Sequence, residues 1–231
     1  MNTNDAVLLT TAGEVATLTL NRPEVRNAID DAMRVDFIAA IDRVARDKAI
    51  RALVITGNGK AFCAGGDIRS MRERMQAPPG EIAFNGWSRQ QRTHYAVAAL
   101  HKLGKPTVAA VNGAATGLGC DLALCCDFIV ASEAASFAMT YILRGLIPDG
   151  GGLYFLPRRV GLARAKELIY TGRKVAAAEA LTLGMVDRVC AADRLLADAA
   201  ESSKVWSRID LLSAEHHASV AAFLDKGAAR K

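Results

Sequence analysis

No apolar run in the 231-residue chain approaches the about 20 residues that a membrane-spanning helix requires, and the N-terminal MNTNDAVLLT has no basic stretch leading into an apolar one. Both absences argue against a membrane protein or a secretory leader, so the expected compartment is the cytoplasm. The five cysteines (Cys63, Cys120, Cys125, Cys126 and Cys190) are odd in number and include an adjacent pair, which predicts reduced thiols and no disulfide framework. Four histidines (His94, His101, His216 and His217) lack metal-ligand spacing to those cysteines, and no metal site is expected. Dense basic blocks interleaved with aromatics are missing as well; Lys and Arg are scattered and the net charge is only +5. Nucleic acid is therefore not the expected partner, whereas a mildly basic surface suits a small substrate carrying several phosphates.

What is present is apolar residue, 51% of the chain with a modest 6% aromatic share, enough for one sizeable core and free of linker-like stretches. Val15 to Leu20 alternates apolar and hydroxyl side chains, the period of a half-buried strand, and Asn21-Arg22-Pro23 ends it. From Asp30 onward Met33, Phe37, Ile41 and Val44 recur every three or four residues, which predicts a helix with one apolar side. Ala52 to Thr56, Thr107 to Val111 and Phe128 to Ala131 are continuous apolar runs closed by turn residues, as in strands covered on both faces. Two strand-like runs followed by a helix recur, which predicts a layered α/β fold of repeated units. The last third reads differently: helices over 162–170, 176–183, 193–204 and 213–226, broken by a short strand near 186–190, look like a helical appendage.

Three loops carry unusual residue combinations. Phe62-Cys63-Ala64-Gly65-Gly66-Asp67-Ile68 pairs two glycines, which lets the main chain approach a ligand with free N–H groups. Asn112 to Asp121 leads from a buried strand into an apolar helix, where free N–H groups coincide with the positive end of the helix dipole. Gly117-Leu118-Gly119 is not a dinucleotide fingerprint, because Leu122 stands where the third glycine belongs. In Gly145 to Gly152 an aspartate, Asp149, lies between Pro148 and three glycines; by local sequence it fits a helix N-cap as well as a functional acid.

Together these loops resemble the crotonase superfamily, the enoyl-CoA hydratase and isomerase group, from about Val15 to Val189. The motifs are Asn21-Arg22-Pro23 with Asn27-Ala28, the Phe62–Ile68 loop, Lys105-Pro106 leading to Asn112-Gly113, and the Pro148–Gly152 turn. The resemblance implies a crotonase-like α/β spiral of ββα units over residues 1–190, with a helical trimerisation region over 191–231 that looks abbreviated between about Ala199 and Ser213. It implies an acyl-CoA substrate whose thioester oxygen is held by the backbone N–H groups of Gly66 and Leu118, an oxyanion hole for an enolate. No separate cofactor is implied, because coenzyme A is part of the substrate.

The family's usual hydratase works with two glutamates. The first aligns with Asp121, a carboxylate on a shorter arm, and the second with Tyr141, which is no carboxylate. Asp149 aligns with an aspartate that is functional in some isomerases and a dehalogenase, and it is the leading acid/base candidate, ahead of Asp121. The resemblance places Val25, Arg26, Ala28, Ala64, Asp67 and Ile68 on the CoA moiety, Tyr141 beside the acyl group, and Phe223 and Lys226 toward a neighbouring subunit's CoA. Cys63 is expected to pack. Proton shuttling is favoured over water addition; hydrolysis on the same oxyanion hole and a non-catalytic CoA- or RNA-binding homologue are the alternatives.

Overall fold

The computed structural model describes residues 5–207; Phe223, Lys226 and the helix expected over 213–226 lie outside the described residues. The chain lays down two strands and then a helix four times. The first unit is β1 (Val7–Ala12), β2 (Val15–Leu20) and α1 (Asp31–Arg46), and the second is β3 (Ala52–Gly57), β4 (Ala61–Cys63), α2 (Ile68–Met75) and α3 (Pro79–His101). The third is β5 (Thr107–Val111), β6 (Ala114–Thr116) and α4 (Leu118–Cys125). The fourth is β7 (Phe128–Ser132), β8 (Ser136–Ala138), a 3-10 segment over Thr140–Arg144, α5 (Gly152–Val160) and α6 (Leu162–Thr171). β9 (Val175–Ala176), α7 (Ala177–Thr182), β10 (Arg188–Cys190) and α8 (Leu195–Ser207) complete the described chain.

In each unit after the hairpin β1–β2, the first strand joins a large sheet and the second a small one. The large sheet runs β1-β2-β3-β5-β7-β10 and the small one β4-β6-β8-β9. Parallel register places Leu18 opposite Ile55, Ile55 opposite Ala109 and Ala109 opposite Ile129, so each unit contributes one side chain at the same height. All four are fully buried. This stacking gives the layered α/β fold of repeated units that the sequence pattern predicts, in the ββα spiral that the resemblance implies.

The apolar stripe of α1 behaves as its spacing requires. Asp30 caps the helix by accepting a hydrogen bond from the Met33 amide at 2.8 Å, and Met33, Phe37, Ile41 and Val44 are all buried in the main core with Leu53 and Ile55. Each such side chain taken fully out of water contributes about 1.5–3 kcal/mol.

The C-terminal third needs a correction. Val15, Val54, Val108, Ala110 and Val130 on the other face of the large sheet pack beneath Leu195 and Ala199 of α8. That helix is therefore a covering layer and not an appendage, which explains why β3 and β5 are apolar on both faces. Leu196 points outward and is 52% exposed. Among the described residues no helix is long and apolar enough to cross a membrane.

Candidate active site

The site begins at the Asn21-Arg22-Pro23 turn. Pro23 opens a 3-10 turn, and Arg26 and Asn27 follow it with φ of 55° and 57°, a left-handed backbone that asparagine tolerates better than most residues. Asn27 is fully buried; its Nδ2 donates to the carbonyls of Ala61 (2.8 Å), Asn58 (3.0 Å) and Phe62 (3.1 Å), and its Oδ1 accepts from the Arg22 amide. The Arg22 guanidinium donates to the Ala28 carbonyl at 2.6 Å and pairs with Asp30 at 3.0 Å and Asp67 at 3.2 Å. These bonds stitch residues 22–30 to the first glycine loop.

The stitching decides which way that loop's amides point. Ile29 donates to the Gly65 carbonyl at 2.7 Å, and Asp67 donates back to the Ile29 carbonyl at 2.9 Å. The Gly66 N–H between them enters no hydrogen bond among the described residues. Leu118 holds the first position of α4, where an amide has no carbonyl one turn behind it, and its N–H is likewise unused. The two loops abut at this point: Thr116 donates through Oγ1 to the Ala64 carbonyl at 3.0 Å. A Cβ on Gly65, whose φ is 93°, would stand 2.8 Å from the Thr116 oxygen and 3.4 Å from the Leu118 nitrogen. Only glycine permits that approach.

A cavity of about 270 Å³ opens between the loops, lined among others by Ala64, Gly66, Ile68, Leu118, Tyr141 and Asp149. The third loop delivers Asp149. It follows the 3-10 segment Thr140–Arg144. Asp149 is not a helix cap: α5 begins at Gly152, its cap is Gly151, and no side chain caps it. Helix α3 grips the loop instead. Arg89 lies 3.7 Å from the Asp149 carboxylate, and His94 Nε2 donates to the Asp149 carbonyl at 3.1 Å. Among the described residues Asp149 is the one carboxylate lining the cavity.

Asp121 is placed elsewhere. Its carboxyl is fully buried and does not line the cavity; Tyr141 stands in between and donates its hydroxyl proton to Oδ2 at 2.5 Å. Burial pushes the Asp121 carboxyl up from 3.8 to about 7 against the opposing Tyr141 hydrogen bond; the Asp149 charge adds to the rise and the Gly150 amide opposes it. Burial, with the Asp121 charge next, raises the Tyr141 hydroxyl well above its ordinary value. Asp121, expected at the reacting carbons, thus stands behind Tyr141 and off the cavity wall.

The remaining candidates divide. Ala64, Ile68 and Tyr141 line the cavity; Val25 and Arg26 do not, although the Arg26 carbonyl accepts from the Ala64 amide at 2.9 Å. Ala28 and Asp67 do not line it either; the Ala28 carbonyl and the Asp67 carboxylate accept from Arg22. Cys63 is buried, donates to the Asn27 carbonyl at 3.1 Å, and has its thiol pushed up to about 12 by burial, so it is no nucleophile. Sequence reasoning missed Arg89 and His94, which sit on a helix with no local motif; Arg22 and Asn27 were quoted as motif residues without their part in aiming Gly66.

Comparison with known proteins now adds to the geometry. Residues 10–228 match the family described as enoyl-CoA hydratase/isomerase. The chain is 43% identical over 197 residues to a probable enoyl-CoA hydratase of Rhizobium meliloti (strain 1021), covering 84% of this chain and 72% of that protein. It is 42% identical over 187 residues to the 1,2-epoxyphenylacetyl-CoA isomerase of Escherichia coli (strain K12), covering 81% and 70%. The crystal structure of a Bacillus anthracis enoyl-CoA hydratase superposes with a TM-score of 0.80 at 32% identity, over 87% of this chain and 76% of that one.

Proposed function

The chain belongs to the enoyl-CoA hydratase/isomerase family and is an enzyme of that type, and we propose that it shifts a proton between carbons of an unsaturated acyl-CoA thioester. The thioester carbonyl lies against the Gly66 and Leu118 amides. Asp149 removes a proton from the substrate, the electron pair moves to the thioester oxygen as an enolate, and the two N–H groups carry that charge. Asp149 then returns the proton to a different carbon, so no atom is gained or lost. The observation that carries this reading is that, among the described residues, Asp149 alone supplies a carboxylate to the cavity wall, so that a hydration dividing the work between two carboxylates finds no second one among them. Coenzyme A enters as part of the substrate, with Val25, Arg26, Ala64 and Ile68 along it.

The proposal is tested by offering saturated, α,β-unsaturated and β,γ-unsaturated acyl-CoA esters and weighing the products. An isomer of unchanged mass is expected; a product heavier by one water would replace isomerisation with hydration, and release of free coenzyme A would replace it with hydrolysis. Assembly as a homotrimer, or as a dimer of trimers, belongs to the same proposal. Exposed Leu196 on the outer side of α8 supports a covered surface there. Light scattering at several concentrations is expected to give a particle of three or six chains, and a strict monomer would remove the assembly from the proposal.

A further inference from the structure

Behind the cavity wall lies a buried acid that the proton shift does not use. Asp121 is fully buried, its Oδ2 accepts the Tyr141 hydroxyl proton at 2.5 Å, and its Oδ1 has no hydrogen-bond partner among the described residues. The space around it is closely fitted. A Cβ on Gly150 would stand 2.4 Å from Oδ2, and one on Gly152 would stand 2.4 Å from Oδ1, so the glycines after Asp149 make room for this carboxyl. Tyr141 has its hydroxyl on Asp121 and lines the cavity.

We propose that Asp121 is a positioning residue that sets the hydrogen-bonding sense of Tyr141 at the cavity. When Asp121 is ionised it accepts the hydrogen bond of the tyrosine hydroxyl, and the phenol oxygen can offer the substrate only lone pairs. When Asp121 is protonated it donates to the phenol oxygen, and the tyrosine proton is free to turn to the developing negative charge of the acyl group. The exchange is a reorientation of two hydrogen bonds, with one proton entering or leaving Asp121.

The surroundings favour a titration near neutrality. Tyr141 faces Asp121 from the 3-10 segment, Asp149 and the Gly150 amide face it from the third loop, and Cys120 and Cys125 belong to its own helix. No cation pairs with Asp121 among the described residues; Arg89 of α3 is paired with Asp149 instead. A buried carboxylate with one unpartnered oxygen and a like charge nearby is costly to ionise, whereas the acid is not.

This inference rests on an acyl-CoA occupying the cavity, and its test separates the two ideas. The pH dependence of kcat and KM is measured for the wild type, Asp121→Asn and Tyr141→Phe on the best substrate. Wild-type kcat is expected to bend near pH 7, and the bend to vanish in both variants. At the pH optimum each is expected to lose about ten- to hundredfold in kcat with KM changed only a few fold. A bend that survives in either variant overturns the proposal, because it then belongs to another group or does not pass through Tyr141.

Thermal melting and binding of a saturated acyl-CoA establish that the variants fold. Should Asp121→Asn fail to fold, infrared difference spectroscopy of the wild type and Tyr141→Phe decides. A buried protonated-carboxyl band is expected to disappear as the pH is raised through 7 and to move when the tyrosine hydroxyl is removed. No such band, or one indifferent to Tyr141, overturns the proposal. If the wild type turns over no acyl-CoA at all, the assigned reaction fails while the infrared titration still reports on the couple.

Discussion

Asp149 opens a run of three glycines and Asp121 packs against the first and third of them, and the fold treats the two acids differently. Asp149 keeps 23% of its side chain exposed, lines the cavity and has Arg89 at 3.7 Å. Asp121 is sealed behind Tyr141, without a cation among the described residues, and burial pushes its carboxyl up to about 7. Residue type and rough location in sequence are shared; solvent access and partner are not. What a carboxyl can do follows from the latter two, since a carboxyl must reach the substrate before it can move a substrate proton, and a sealed one acts only through its neighbour.

The sharpest way to break this comparison is to remove each charge in turn. Asp149→Asn keeps shape and most hydrogen bonding, and it is expected to slow the chemical step about a hundred- to ten-thousandfold with saturated acyl-CoA binding nearly intact. Steady-state and single-turnover rates check this; near-normal rates on every active ester would remove Asp149 from the chemistry.

A smaller effect, on folding, is expected at the turn that aims Gly66. Asn27→Ala deletes three donated hydrogen bonds and one accepted one in a fully buried place, which should cost about 3 kcal/mol. Urea denaturation measures it, and a midpoint within error of the wild type would mean that the first loop is held by other contacts.

The smallest expected effect is a change of slope. The folded-state value of Asp121, about 7, lies above its ordinary 3.8, so between these the folded chain keeps a proton that the unfolded chain has lost. The stability owed to this group is therefore full below about pH 4, declines as the pH rises to 7, and is level above that. Wild type should lose ground to Asp121→Asn across that interval and nowhere else. A pH-independent difference in melting temperature would mean that burial leaves Asp121 untouched.

Much of the architecture was legible in the sequence because it depends on period and local chemistry. The stripe of α1 and the strands over 15–20, 52–57, 107–111 and 128–132 all lie where periodicity and apolar runs predict them. The short strands β4 and β6 fell within segments read as loops and β8 was not read at all, since three residues are too few for a period to show. Helix α8 was recognised as a helix but not as the lid of the sheet's second face, because a periodic stripe does not say what it will meet.

The site divides along the same line. Glycine pairs, the Asn-Arg-Pro turn and the Pro148–Gly152 loop announced themselves by composition, while Gly66 and Leu118 as donors, and the preference for Asp149 as the acid, came from the family resemblance that these motifs carry. The sequence by itself determined which segments become strands, helices and tight glycine turns, because those are set by side-chain period, backbone freedom and capping within a few residues. Only the tertiary structure decided that Asp149 faces a cavity and is gripped by α3, that Asp121 is closed behind Tyr141, and that Ala28 and Asp67 are consumed by Arg22. Those outcomes depend on burial and on partners tens of residues away, and desolvation and pairing are properties of the packed neighbourhood that no local pattern contains.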